Sequence, residues 1–303
     1  MGTQSSLRLP DFIGVGPPRT ATTWLHQALT DHVGLPEGVK ETDFFAYRYS
    51  KGLDWYLAHF RNCPSELPMG EFSPNYFIWA QARERIARDI PACKIICTFR
   101  EPVERMYSHY RKAREGGYLT CSFEECLERP QALEWSRYAT HLKAWWEHFG
   151  AERVLVLIHD DLKSDPQRFL DEVCDFLGIV KIPLASSSIE SKTVNAVPQE
   201  PRNPRLAQLA RRVRDRLQGR GDYALVNVLK RTPLRDFLFA GGSPFEPIRP
   251  ETAERLRRIL RPEVDALEEM LGRDLTLWKS GGSHRSPDET GATAGLSAAA
   301  TGG

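Results

Sequence analysis

Three short runs of apolar residues stand out in the first half of the chain, at residues 12–16, 93–99 and 154–158. Each run is bounded by glycine, proline or charged residues and is too uniformly apolar for a strand with one face in water. Each therefore predicts a buried β-strand. Residues 69–72 are a shorter strand candidate.

Between and after these runs, apolar residues recur three and four positions apart, which is the spacing of amphipathic helices. The spacing predicts one helix directly after the first strand and another that begins at Pro102. It predicts further helices over residues 52–60, 78–90, 136–149, 166–177, 206–217 and 251–271. Strands that alternate with helices indicate an α/β fold with a mainly parallel central sheet flanked by helices.

Composition limits the class of protein. With 303 residues, 41% of them hydrophobic, the chain can build one large domain, which we expect over residues 11–280 between a flexible N-terminus (1–10) and a disordered tail (281–303). A net charge of +1 gives no global field for a polyanion, and no apolar run is long enough to cross a bilayer. We expect no nucleic-acid or membrane partner; the oligomeric state is unknown from the sequence.

The six cysteines show neither a CxxC pair nor the Cys/His spacing of a metal site. No secretory signal opens the chain. Together these observations predict reduced thiols, a cytoplasmic protein and no bound metal.

The first strand leads into the segment PPRTATTW, and the apolar residues that follow this segment have helical spacing. Where a strand turns sharply into a helix, the free backbone N–H groups of the first helical turn point into the turn. Such a corner therefore binds anions, usually phosphate. Aligned on GxxxxGK[ST], Gly16 and Thr23 fill the outer positions, but Ala21 replaces the second glycine and Thr22 the lysine. The positive charge lies instead at Arg19. Without that lysine, kinase or ATPase chemistry is disfavoured. A simple tight turn capped by a threonine is the alternative.

The segment from Arg19 to Leu25 resembles the 5′-phosphosulfate loop of sulfotransferases that use 3′-phosphoadenosine 5′-phosphosulfate (PAPS). Their loop usually reads Lys-x-Gly-Thr-Thr, so Arg19 and Ala21 are departures, although arginine keeps the charge. The hydroxyls at 20, 22 and 23 suit a compact tetrahedral anion. The resemblance implies that the phosphosulfate is held by Arg19, Thr20, Ala21, Thr22, Thr23 and Trp24.

The segment CTFREPVERMYS, residues 97–108, carries the second half of the resemblance. Sulfotransferases hold the 3′-phosphate of PAPS with an arginine at a strand end and a serine two turns into the next helix. Arg100 and Ser108 occupy those places, and a guanidinium can fork onto a phosphate. Because ligands bind at the carboxyl ends of parallel strands, this motif and the Arg19 loop are expected at one edge. A plain surface turn with a solvated serine is the alternative.

Lys40-Glu41-Thr-Asp-Phe-Phe resembles a segment of heparan-sulfate and related carbohydrate sulfotransferases, in which the glutamate is the general base. The resemblance therefore implies that Glu41 takes the proton of the acceptor. Asp43 and Glu71 are the substitutes. Phe72 stands where those enzymes carry a lysine, which indicates an acceptor less acidic than a sulfated glycan.

Residues 185–205 have the composition of a loop or lid, in which Arg202 could close over the 3′-phosphate and Arg205 is a second candidate. The resemblance as a whole implies a PAPS-dependent sulfotransferase, without metal, acting on a hydroxyl or amine of a carbohydrate or small-molecule acceptor. Two alternatives remain open: a nucleotide kinase-like phosphotransferase, and a non-enzymatic module that binds polyanions through the arginines of residues 202–220.

Overall fold

The computed structural model describes residues 8–129, 131–186, 199–201, 204–220 and 241–281. The predictions for residues 1–7, for the tail from residue 282 and for Arg202 lie outside this range. The strands are β1 Phe12–Gly16, β2 Gly70–Phe72, β3 Lys94–Phe99, β4 Val154–Ile158, β5 Gln199–Pro201 and β6 Gly241–Pro244.

The longer helices follow the predicted amphipathic segments. The helices are α1 Thr22–Leu29, α2 Leu53–Leu57, α3 Ala80–Asp89, α4 Pro102–Glu115, α5 Phe123–Leu127, α6 Tyr138–Phe149, α7 His159–Ser164, α8 Pro166–Leu177, α9 Pro204–Arg220, α10 Pro250–Leu271 and α11 Thr276–Ser280. The short helices α5, α7 and α11 were not predicted. A π-helical turn covers Phe44–Arg48, and short 3₁₀ turns cover Tyr49–Lys51, Ala58–Phe60, Pro74–Tyr76, Glu134–Ser136, Ala151–Arg153 and Leu184–Ser186.

The central sheet has the order β2-β1-β3-β4, and each neighbouring pair is parallel. Phe12 of β1 lies opposite Gly70 of β2 and Lys94 of β3. Ile95 of β3 lies opposite Val154 of β4. The carboxyl ends of all four strands therefore meet at one edge, as the predicted α/β fold requires.

Both faces of this sheet are covered by helices, because successive side chains of each strand point to opposite faces. On β1, Ile13 belongs to a large aromatic cluster with residues of α3, α6 and α10. Its neighbour Phe12 belongs to a second cluster with residues of α1 and α8. A third cluster joins α4, α5 and α10, among them Val103, Phe123 and Leu256.

Two predictions about the fold and the cysteines fail in the described residues. Residues 199–201, expected in a loop, form β5 and pair antiparallel with β6. The thiols of Cys121 and Cys126 are joined in a disulfide rather than reduced, while Cys63, Cys93, Cys97 and Cys174 are free. The capping box of Ser122 and Glu125 winds this segment into α5 and brings the two cysteine Cα atoms to 6.1 Å, within disulfide reach. Within the described ranges, no helix is both long and apolar enough to cross a membrane.

Candidate active site

The corner between β1 and α1 begins at Gly16, where only glycine fits. Its φ of +89° lies in the left-handed region, and a Cβ built there would lie 2.7 Å from the Cα of Pro74. A side chain at this position would push apart the end of β1 and the turn that follows β2. The strand can therefore end close against Pro74 and turn into the anion corner.

Two non-glycine residues in the corner, Arg19 (φ 75°) and Ala21 (φ 81°), also adopt left-handed conformations. Ala21 is the N-cap residue of α1, and in the described structure no side chain caps that helix. The alternative in which a threonine caps α1 is therefore wrong. No acidic residue lies in the first turn either. The first backbone N–H groups of α1 and its positive dipole end remain available to an anion.

The side chain of Thr20 does not face the anion corner, as its hydroxyl had led us to expect. Its side chain is fully buried, donates to the carbonyl oxygen of Pro17 at 2.6 Å and lies 2.5 Å from the hydroxyl of Thr98 on β3. The prediction that this hydroxyl faces the anion is wrong, because it fastens the corner to the neighbouring strand. Only the backbone N–H of Thr20 is left for an anion.

The second corner joins β3 to α4, and its motif residues face the first corner. The Nε of Arg19 donates to the Oγ of Ser108 at 3.1 Å. Because β1 and β3 are adjacent and parallel, their carboxyl ends bring the two predicted motifs together from positions 89 residues apart. The alternative of a plain surface turn with a solvated Ser108 is therefore wrong, since that side chain is buried.

Arg100 lies at the end of β3, as expected, but it is not a free cation. Its Nη2 and Nε lie 2.9 and 3.2 Å from one carboxylate oxygen of Glu104, four residues along α4. Burial lowers the pKa of Arg19, and the positive charge of nearby Arg100 lowers that pKa further. The site thus holds two close guanidinium groups, an arrangement that a bound anion would stabilise.

Two more polar side chains of α4 lie beside the corner, and the sequence reasoning missed both. Arg105 is buried and donates to the Oγ of Ser136 from Nη2 at 2.8 Å. Burial lowers the pKa of Arg105. Burial, followed by the charges of Arg105 and Arg19, lowers the pKa of His109 to about 4, so its ring is neutral at pH 7. Their i, i+4 spacing was the available signal, because it places both on one face of α4.

The predicted general base lies at the mouth of the first corner. The Nζ of Lys40 donates to the Oγ1 of Thr23 at 2.9 Å and to the Oε1 of Glu41 at 3.0 Å. Lys40 therefore links the start of α1 to the carboxylate of Glu41. The sequence reasoning quoted Lys40 within a motif but gave it no role.

The substitute bases have other environments. Glu71 is fully buried and accepts hydrogen bonds from the N–H and hydroxyl of Thr42 and from the hydroxyls of Ser73 and Tyr76. Burial raises the pKa of Glu71, partly offset by these bonds. Its carboxylate thus holds the residue 40–43 segment in place. Burial likewise raises the pKa of Asp43, which accepts from Asn75 at 3.0 Å.

A cavity of about 1530 Å³ opens beside these groups. Its polar end is lined by Arg19, Thr23, Lys40, Glu41 and Asn75, and its walls continue along α4 to α5 and α9. Of the carboxylates considered as bases, Glu41 lines this cavity and the other two do not. Phe72 does not line the cavity; it is buried in the cluster with α1 and α8, in edge contact with Phe12 at 5.9 Å between ring centroids.

Comparisons with known proteins show the family to which this chain belongs. A sulfotransferase domain model matches residues 9–205, about two thirds of the chain. The chain belongs to the sulfotransferase family. Human bifunctional heparan sulfate N-deacetylase/N-sulfotransferase 3 is 32% identical over 198 residues, which cover 57% of this chain and 23% of the relative. The N-deacetylase/N-sulfotransferase 1 of Xenopus laevis is also 32% identical, over 199 residues that cover 57% and 22%.

This sulfotransferase spans less than a quarter of the length of those curated relatives. A crystal structure of a sulfotransferase from Alicyclobacillus acidocaldarius has the same fold, with a TM-score of 0.62 and 21% sequence identity. The alignment covers 90% of this chain and 99% of that chain. The predicted fold class, a parallel sheet with helices on both faces and a P-loop-like corner, is thereby confirmed.

Proposed function

We propose that this sulfotransferase takes the sulfuryl group from PAPS and transfers it to a hydroxyl or amine of a carbohydrate or small-molecule acceptor. The observation that supports the donor is the hydrogen bond from Arg19 to Ser108 at 3.1 Å. It joins the two corners whose motifs resemble the 5′- and 3′-phosphate sites of PAPS enzymes. The relatives' names, heparan sulfate N-sulfotransferases, support a glycan acceptor, whereas Phe72 in place of a lysine opposes a sulfated one.

The residues present fit the donor's two anionic groups. The uncapped start of α1, with amides of residues 20–24 and the Arg19 guanidinium, would hold the phosphosulfate. Arg100 and Ser108 would hold the 3′-phosphate, Arg100 by exchanging Glu104 for it. Arg202, which lies outside the described residues, is proposed to close over that phosphate. When bound, the donor supplies the sulfuryl group.

The chemistry of this chain's own residues then follows from their positions. Glu41 would accept the proton that the acceptor oxygen or nitrogen loses as it attacks. Lys40, 3.0 Å from that carboxylate, orients it toward the corner. The corner amides and the Arg19 guanidinium offset negative charge that collects on the phosphate during transfer.

Calorimetric titration with adenosine 3′,5′-bisphosphate, and separately with ATP–Mg, tests the donor. Arg100→Ala should weaken bisphosphate binding about 10- to 100-fold, because a charge-assisted contact to phosphate is lost. Arg168→Ala is the matched control, since Arg168 and Glu172 form the same i, i+4 ion pair on α8. Unchanged binding by Arg100→Ala, or preference for ATP–Mg, would contradict the proposal.

Glu41→Gln tests the base. We expect turnover to fall by about 10²–10⁴ while bisphosphate affinity stays unchanged, because the amide cannot accept the proton. The control is Glu172→Gln, at an exposed carboxylate on α8. Normal turnover of Glu41→Gln in a sulfate-transfer assay would show that another group takes the proton.

Two sequence-based predictions stay predictions. One is the division into a domain of residues 11–280 with flexible ends. The other is a cytoplasmic location. The Cys121–Cys126 disulfide opposes it, because disulfides persist in oxidising compartments. Labelling of free thiols in intact cells would measure which state these two cysteines hold.

A further inference from the structure

The cavity beside the two corners is larger than a single ligand needs. Its volume of about 1530 Å³ exceeds the upper end of common ligand pockets, about 1,000 Å³. One end holds the anion corner and Glu41. The space beyond that end is therefore available to a second molecule while the donor is bound.

Apolar side chains of α5, α9 and the α4–α5 connection line one part of the cavity. They are Leu119, Phe123, Leu127, Leu206, Leu209 and Val213, and we call the space that they line the apolar chamber. The first three come from the α4–α5 connection and α5, and the last three come from α9. Their spacing of three and four residues along α9 places Leu206, Leu209 and Val213 on one helix face.

The apolar side chains on that face of α9 are exposed to solvent. Leu206, Leu209 and Val213 are 43%, 57% and 50% exposed, and Tyr118, which also lines the cavity, is 52% exposed. Large apolar side chains left open to water along one cavity mark a binding surface, since their burial by a ligand is favourable.

Two of the cations that line the cavity, Lys112 and Arg211, have local counterparts. Lys112 lies 3.1 Å from Glu115, which lines the same cavity, so the two charges offset one another. The guanidinium of Arg211 lies over the ring of Tyr118 at 4.6 Å. Neither of these two cations is therefore left unbalanced toward the chamber.

We propose that the apolar chamber holds the body of the acceptor, and that this acceptor is an elongated alkyl or aryl molecule ending in a hydroxyl or amine. This inference rests on the proposed function and specifies its acceptor class. Because Glu41 and the chamber line one continuous cavity, an apolar body seated against α9 presents its polar end to that carboxylate.

The probe is a series of 4-alkylphenols, from ethyl to octyl, titrated calorimetrically into the full chain with saturating adenosine 3′,5′-bisphosphate. Each added methylene should tighten binding roughly fourfold, the equivalent of about 0.8 kcal/mol per buried CH₂. Leu209→Gln should flatten this dependence on chain length. The control is Leu277→Gln on α11, at another exposed leucine (40%) that does not line the cavity, and it should leave the dependence on chain length unchanged.

Three results would overturn the acceptor class. Affinity independent of alkyl length, tighter binding of a heparan-type disaccharide, or an unchanged slope in Leu209→Gln would each exclude the chamber as the seat of an apolar acceptor. Displacement of the bisphosphate by the alkylphenols would assign the chamber to the donor instead. Failure of the bisphosphate itself to bind would count against the proposed function. Titrating the alkylphenols again without bisphosphate tests the chamber independently of the donor site.

Discussion

The left-handed conformation of Ala21 makes a quantitative prediction about the anion corner. An L-residue in this region is strained by about 1–2 kcal/mol, whereas glycine adopts it freely. Glycine also costs about 0.4–1 kcal/mol through the greater entropy of the unfolded chain. Taking the middle of each range, Ala21→Gly should therefore raise the free energy of unfolding by about 0.8 kcal/mol. Urea denaturation followed by tryptophan fluorescence measures this difference.

The same substitution elsewhere should have the opposite sign. Ala87→Gly, inside α3, should lower stability by about 1 kcal/mol, because glycine is a poor helix former. Both substitutions remove one methyl group, so the difference between them reports the backbone conformation. A destabilising Ala21→Gly, equal to that of Ala87→Gly, would show that the corner does not hold residue 21 in the left-handed region and would undermine its geometry as an anion site.

Two further predictions concern side chains at the site. Lys40→Met should lower turnover about 10-fold or more, because its ammonium links Thr23 to the proposed base, while Lys143→Met on the exposed face of α6 should not. A normal rate in Lys40→Met would remove Lys40 from the mechanism. The pKa of His109 is lowered to about 4 by burial, against 6.5 in the unfolded chain, so between these values the unfolded chain binds more protons. Its contribution to stability is complete above pH 6.5 and is lost as the pH falls toward 4. Between pH 7 and pH 4.5, the free energy of unfolding of His109→Gln should therefore fall by about 2 kcal/mol less than that of the parent, measured in urea titrations. Equal losses would contradict a neutral, buried ring.

The amino-acid sequence by itself determined the strands of the central sheet, the longer helices and the position of the corners. The strands at 12–16 and 154–158 have the bounds that the apolar runs predict, and α8 begins at Pro166 and ends before Gly178. These features depend on residues a few positions apart. The proximity of Arg19 to Ser108 was also predictable, because parallel strands bring their carboxyl ends to one edge whatever lies between them.

The tertiary structure alone decided how those side chains are used. It buried Glu71 among four hydrogen bonds and turned the Thr20 hydroxyl toward β3. It also brought α9 opposite α5, which created the apolar chamber. Periodicity reports which face of a helix is apolar but not what that face meets, since contacts between distant segments depend on how all the elements pack together.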